Sequence, residues 1–357
     1  MERQSNIELL RLVCMFFIIW LHFTGFGIFV LSERYANETG FASLFPQLIH
    51  GCCQCAVDTF ILISGFFSIR PKAKSFFNLY LVCAFYAGLL FLLHVYLSGS
   101  HFNRWCIYNT LLPFGLWKSS TNWWFIPNYL MLYIISPILN RVVEKISKRQ
   151  FLFFLFLMSI PVFYFGWYRN MSFAENGYNI FNFIFLYFIG RYIALFCNRL
   201  IHSRLLFMGG WLILGIVMGV TSEYVHLHEK GLTWMWYLDQ YNSPVCVASA
   251  VFLFCAFNSI KIQNKIVNWY SASALSIYLL HDNSYVAKPL GGLVHTIYDT
   301  YHFPIAYLLL LFLSLALMGL IPIVDKLRIM VTAPISKVLC VFWDILKPKV
   351  VSLFSRI

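Results

Sequence analysis

The sequence predicts an all-α polytopic membrane protein of about ten transmembrane helices with both termini in the cytoplasm, and three observations carry that prediction. First, a chain of 357 residues that is 60% hydrophobic, 19% aromatic and 11% charged has too little polar surface to cover a soluble globule, and its mean hydropathy of +0.72 agrees. Second, apolar runs of roughly 18 to 25 residues recur along it, the length a helix needs to cross a hydrocarbon core of about 30 Å. The alternating ten-residue strands of an outer-membrane barrel are not seen. Third, lysine and arginine fall unevenly once the spans are drawn.

In order, the spans lie near 7–31, 44–68, 76–97, 123–141, 151–168, 179–197, 205–221, 243–258, 266–287 and 303–324. The eighth is short and starts near Pro244, and 106–117 reads as a re-entrant or interfacial piece, so a count of nine or eleven stays open. One set of span ends carries about 20 cations, among them Arg11, Arg70, Lys72, Lys74, Arg191, Lys261 and the six of the tail, against 6 on the other, Arg34, Arg104, Lys118, Arg169, Lys230 and Lys288. The richer side is cytoplasmic. The net charge of +12 is therefore largely topogenic. No soluble basic domain exists to bind nucleic acid.

Short loops and no stretch of soluble-domain length between the spans predict one transmembrane domain over 1–325 and no appended soluble enzyme, and the lack of an internal repeat weakens a transporter built on inverted halves. The remaining segment, 326–357, mixes apolar residues with six cations and is cut by Pro334 and Pro348. It reads as two short amphipathic pieces anchored on the inner leaflet. No cleavable signal precedes the first span, whose apolar run is long and lacks a small-residue cleavage pattern. Most of the ten cysteines read as small buried hydrophobes, with a disulfide among Cys52, Cys53 and Cys55 disfavoured by their adjacent helical positions. The segment from Glu223, His226, His228 and Glu229 through Trp234, Trp236, Tyr237, Asp239 and Tyr241 is either an interfacial belt or an acceptor platform. Its metal-ligand spacing is loose, and no metal is expected.

Candidate chemistry begins on the first span. Ten residues separate Arg11 from His22, and eleven helical steps are three turns plus about 20°, so the two share a face about 16 Å apart along the axis. A cation and an imidazole inside lipid each cost several kcal/mol unless they face protein or a water-filled pocket, roughly 3 kcal/mol or more apiece at depth. At about 1.5 Å per residue, Arg11 lies about 6 Å in from the cytoplasmic end, while His22, Asp58 and His281 with Asp282 lie roughly 15 to 24 Å deep. Ser64 and Arg70 sit near the inner end of the second span. Such layering suits a coenzyme whose phosphates stay at the inner mouth while its arm reaches inward. A neutral His22 is competent to deprotonate an acceptor hydroxyl, with Asp58 a candidate to orient it. Each group also has a plainer role: His22 as a packing hydrogen bonder, Arg11 paired with Glu8, Ser64-Gly65 as a helix contact, His281 at the outer interface.

These residues resemble a family. Glu8-Leu-Leu-Arg11 followed by His22 is similar to the acidic-x-x-Arg, ten residues, His signature of the membrane-bound acyltransferase 3 family. The run Val57-Asp58-Thr59 to Ser64-Gly65-Phe66, the pair Trp123-Trp124 with Tyr129, and Ser276-Ile277-Tyr278 to His281 resemble its further motifs. The resemblance implies an O-acyltransferase that moves an acyl group, most often acetyl from acetyl-CoA, onto a hydroxyl of an extracytoplasmic or lipid-linked glycan. By that resemblance His22 is the base or the acyl-handling residue, Arg11 its required partner, and Arg70 part of the cationic site for the coenzyme; Asp58 stands beside the first two as a further catalytic candidate, Ser64 and Lys72 as further coenzyme-site candidates, and Trp123, Trp124 and His281 as acceptor candidates. The chain departs from the family pattern in having Glu8 where Asp is common and Arg70 alone before Pro71. The expected setting is the inner membrane of a bacterium, with membrane lipids and acyl-CoA as partners and homo-oligomerisation left open. Direct transfer and a covalent carrier are both compatible with the residues. A glycan-lipid flippase or other transporter is the competing class.

Overall fold

The structure, a computed structural model, describes residues 4–99, 123–173, 175–197, 203–228 and 238–354. All regular structure among them is helical. The expected piece at 106–117, with Arg104 and Lys118, lies outside the described residues, as do Arg199, Glu229, Lys230, Trp234, Trp236, Tyr237 and Arg356.

Among the described residues, seven helical stretches are long and apolar enough to cross a membrane by themselves: Ser5–Phe29, Phe41–Phe67, Ala73–Ser98, Phe125–Val143, Lys148–Tyr168, Arg204–His228 and Ile305–Pro348. Ile180–Phe196 and Pro244–Asn258 are shorter apolar helices. The outer faces of the peripheral helices carry exposed Leu152, Phe153, Phe156, Leu206, Ile213 and Phe312, apolar surface of a kind that water-soluble monomers do not leave open and lipid tails accept.

Helix α1 (Ser5–His22) continues as a π-helix over Phe23–Phe29, so the widened turn begins at the residue after His22. After a short α2 (Glu33–Asn37), capped by the Ser32 hydroxyl, the second span is two helices, α3 (Phe41–Cys53) and α4 (Ala56–Phe67), broken at Gln54–Cys55. The cysteines at this break are free thiols. Helices α5 (Ala73–Ser98), α6 (Phe125–Glu144), α7 (Lys148–Ser159, then π-wound to Tyr168), α8 (Ile180–Phe196), α9 (Arg204–His228) and α10 (Pro244–Asn258) follow. Glycines let the central helices touch backbone to backbone. A Cβ on Gly65 would collide with the Tyr187 carbonyl of α8, and one on Gly190 with the Leu62 carbonyl of α4. Close backbone approach is how small residues hold helices together where lipid supplies no hydrophobic drive.

Two expectations are corrected. The ninth span, read as one helix over 266–287, is three pieces: α11 (Lys265–Ser271), α12 (Ala274–His281) and α13 (Ser284–Thr300). Polar residues at the joints supply the reason, because the Asn283 side chain accepts from the Tyr285 amide and starts a new helix where the old one ends. The tail, expected as two pieces cut at prolines, is part of one helix, α14 (Ile305–Phe354), that runs through Pro322, Pro334 and Pro348. A buried carboxylate anchors it: Asp325, fully buried, accepts from Tyr86 (3.0 Å), Ser276 (2.6 Å) and Arg328 (2.8 Å), tying α14 to α5 and α12. Packing of this kind overrides the local cost of a proline.

The two ends of the bundle differ. At one, Ser5 donates to Gln263 (3.2 Å) and Lys326 to Ser273 (3.1 Å), which gathers the N-terminus, the α10–α11 connection and the distal half of α14. At the other, Arg34 binds Glu38 (2.6 Å) and the Tyr298 carbonyl (2.6 Å), while Ser32 donates to Asp299 and Ser43 to Glu223.

Candidate active site

One face of α1 forms the wall of a cavity of about 350 Å³, to which it contributes Glu8, Arg11, Met15, Ile18 and His22. Their spacing of three, four, three and four residues is a single helical stripe. Phe60 and Ser64 of α4, Tyr129 of α6, Ser271 and Tyr278 from the broken segment, and Trp124 and Tyr241 also line it. Arg11 and His22 thus open into one shared space.

At the terminal end of the stripe, the Arg11 guanidinium donates to Glu8 Oε1 (2.9 Å) and the Ser271 hydroxyl to Glu8 Oε2 (2.6 Å). Ser271 is the last residue of α11, so the first helix break delivers this hydroxyl. Glu8 is buried and Arg11 about a third exposed. One guanidinium nitrogen is engaged, and the others remain available to a ligand.

At the far end, His22 Nδ1 lies 3.0 Å from His281 Nε2 and 3.6 Å from Asp282 Oδ1. His281 Nδ1 is 2.6 Å from the Ile277 carbonyl. A carbonyl only accepts, so His281 carries its proton on Nδ1 and its Nε2 is an acceptor. His22 must then donate from Nδ1, which leaves its own Nε2 as a bare lone pair. The second break, at Asp282–Asn283, is what turns the carboxylate toward the ring. A residue that positions a histidine through one nitrogen while the other handles a proton is the arrangement of general-base sites.

The other candidates divide. Trp124 lines the cavity, stacks on Tyr241 with ring centres 5.5 Å apart, and meets Tyr178 edge-on. Trp123 is buried behind it. Ser64 lines the cavity while its hydroxyl is bonded to the Phe60 carbonyl at 3.0 Å. Asp58 is 1% exposed and accepts from the Cys246 thiol at 3.7 Å. The carboxylate paired with His22 among the described residues is Asp282, not Asp58. Arg70 and Lys72 are exposed and line neither this cavity nor its neighbour. Their loop is held from below, Tyr133 bonding the Lys72 backbone at 2.8 Å and Tyr187 donated to by the Ile69 amide at 3.1 Å. In the segment near Glu223, that carboxylate accepts from Ser43 and His226 stacks on Tyr35.

Sequence reasoning missed Ser271, Tyr129 and Tyr278 as cavity residues and left Asp282 in the shadow of His281. Asp282 was legible in principle, since an acidic residue directly after a histidine inside an apolar run has no cheap reason to be there.

The fold is a polytopic helical bundle in which a pair of histidines with a nearby carboxylate, and an arginine on the same helix face, stand at one internal cavity. The acyltransferase-domain family matches residues 4–322, and the chain belongs to that family, the acyltransferase 3 family of the membrane. No curated protein and no solved structure matches.

Proposed function

We propose that this membrane acyltransferase takes an acyl group, acetyl in the first instance, from acetyl-CoA on the cytoplasmic side and places it on a hydroxyl of a glycan or lipid-linked sugar in the inner membrane of a bacterium. The observation that carries this reading is the His22 relay: its Nδ1 is bonded to His281 with the Asp282 carboxylate 3.6 Å away, and its Nε2 is free in a cavity that Arg11 also faces.

In the step proposed, the sugar hydroxyl gives its proton to His22 Nε2 as its oxygen attacks the thioester carbonyl. The imidazolium so formed is stabilised by Asp282 across the Nδ1 side. When the tetrahedral intermediate collapses, the C–S bond breaks and His22 returns the proton to the departing thiolate. Arg11, with guanidinium nitrogens to spare beside the Glu8–Ser271 pair, offers donors to an acyl oxygen or a phosphate. The aromatic faces of Trp124 and Tyr241 suit the apolar face of a sugar ring. Direct transfer needs no second nucleophile.

The test is purified protein in nanodiscs with acetyl-CoA and an extract of lipid-linked glycan, following thiol release and mass gain of the glycan together. Mass gain by one acetyl unit, lost in His22→Ala, supports the reading. Thiol release and mass gain that persist at the native rate in that variant reject the base assignment, and movement of glycan without either points to a flippase.

A further inference from the structure

A second cavity, of about 850 Å³, adjoins the first, and the two share Leu79, Tyr129, Ala272 and Leu275 as walls. The second opens at the end of the bundle that holds Ser5 and Lys326. Its polar wall is built from two helices: Lys74, Ser75 and Asn78 from the start of α5, and Arg328, Thr332, Ser336 and Lys337 from α14. The family match ends at residue 322, so every α14 residue of that wall lies beyond it.

We infer that the distal half of α14 is part of the donor site, and that Lys74 and Lys337 hold the phosphate-bearing nucleotide end of the acyl donor while its arm passes Leu79, Tyr129 and Leu275 to reach Arg11 and His22. This rests on the acyl-CoA reading above.

Four observations combine. The volume lies within the roughly 300–1,000 Å³ of small-molecule sites. The chemistry is mixed in the way a nucleotide needs, cations and hydroxyls lining the cavity together with Leu79, Val82, Tyr129 and Ile329. The α14 wall is fixed rather than loosely anchored, because Asp325 ties it to Tyr86 and Ser276, and the Ser336 hydroxyl donates to Asn78 at 2.7 Å across the cavity's two helices. The cations are not equivalent: Arg328 is neutralised by Asp325 at 2.8 Å, whereas Lys74 and Lys337 form no ion pair among the described residues and are exposed to the cavity mouth. Two unneutralised ammonium groups on facing helices attract a polyanion, and the shared wall leads from them to the catalytic end. Arg70 and Lys72, cations of the preceding loop, stand outside this cavity.

An anionic lipid headgroup presents the same phosphate chemistry, so the experiment separates the two sources. Native protein and K74A/K337A are compared in nanodiscs of zwitterionic phosphatidylcholine, with acetyl-CoA and with S-acetylpantetheine, a thioester that lacks the nucleotide and its phosphates. The expected result is that the ratio of kcat/KM for acetyl-CoA over S-acetylpantetheine falls about tenfold in K74A/K337A and is restored in K74R/K337R, with coenzyme A affinity by calorimetry falling in parallel. An unchanged ratio, or an equal loss with both donors, overturns the assignment, as does a loss that is seen only when anionic lipid is added. If the native protein consumes neither thioester, the functional reading fails instead, and the calorimetric titration with coenzyme A alone still decides the site: weaker binding by K74A/K337A upholds it, and no binding by native protein rejects it.

Discussion

At the Glu8 end of the α1 stripe both carboxylate oxygens are spoken for, one by Arg11 and one by Ser271, whereas at the His22 end a chain of three side chains stops at a ring nitrogen with no partner. Both ends sit on one helix face and line one cavity. The difference is in what each leaves unsatisfied. A closed ion pair holds a shape and a charge pattern, which suits binding. An uncommitted basic nitrogen, backed by a histidine whose tautomer is fixed by a backbone carbonyl, suits proton transfer. Each end depends on a break in the same segment of chain, Ser271 at the first and Asp282 at the second, so a helix that ran straight through would have disarmed both.

That contrast breaks most readily at His22. His22→Ala is expected to lower acyl transfer by about 10²- to 10⁴-fold, the range of a lost general base, in the thiol-release assay; a rate near native would place the reactive centre elsewhere. Asp282→Asn removes the carboxylate behind the ring and keeps its size. Loss of the carboxylate charge that stands 3.6 Å from the ring is expected to lower kcat by roughly tenfold to a hundredfold, with the acetyl-CoA KM held, and a KM effect alone would move Asp282 to the binding end. Arg11→Lys retains the charge that faces Glu8 but loses the planar set of donors, and about a fivefold fall in kcat/KM is expected, the worth of one hydrogen bond near 1 kcal/mol. Equal activity of the two would make Arg11 a partner for Glu8 and nothing more. The smallest change is expected from Asp58→Asn, whose transfer rate should stay within about a factor of two of native because the residue lies outside the cavity and shares no partner with His22. A separate stability reading sharpens the packing account: Gly65→Ala, which sets a methyl against the Tyr187 carbonyl, should lower the thermal midpoint in detergent, by an amount matching overpacking costs of about 1–3 kcal/mol.

Much of the scaffold was readable from residues in a row. Seven of the expected spans are long apolar helical stretches, the second of them broken at Gln54–Cys55, because the bilayer's thickness dictates a length that any apolar run of about 20 residues reports. The pairing of Arg11 and His22 on one cavity was readable too, since helical periodicity fixes which residues share a face whatever surrounds them. Where the reading failed, the missing quantity was a contact between distant parts of the chain. Hydropathy cannot distinguish one helix over 266–287 from three, because the joints are made by single capping residues whose side chains find partners locally. It likewise made Pro334 a cut, while α14 runs on through it and is anchored at Asp325 by Tyr86 and Ser276, which precede that residue by 239 and 49 positions.

The sequence by itself determined that this protein lives in a membrane, that it is helical, and which face of its first helix carries polar groups, because composition and period are properties of neighbours along the chain, while the resemblance of its motifs placed it with acyltransferases. Only the tertiary structure decided that Asp282 rather than Asp58 stands behind His22, that His281 fixes the ring's tautomer, and that a second cavity with a wall from α14 leads to the first. Those facts depend on distances between residues as many as 260 positions apart, set when glycines and helix breaks let backbones approach, and no local pattern encodes them.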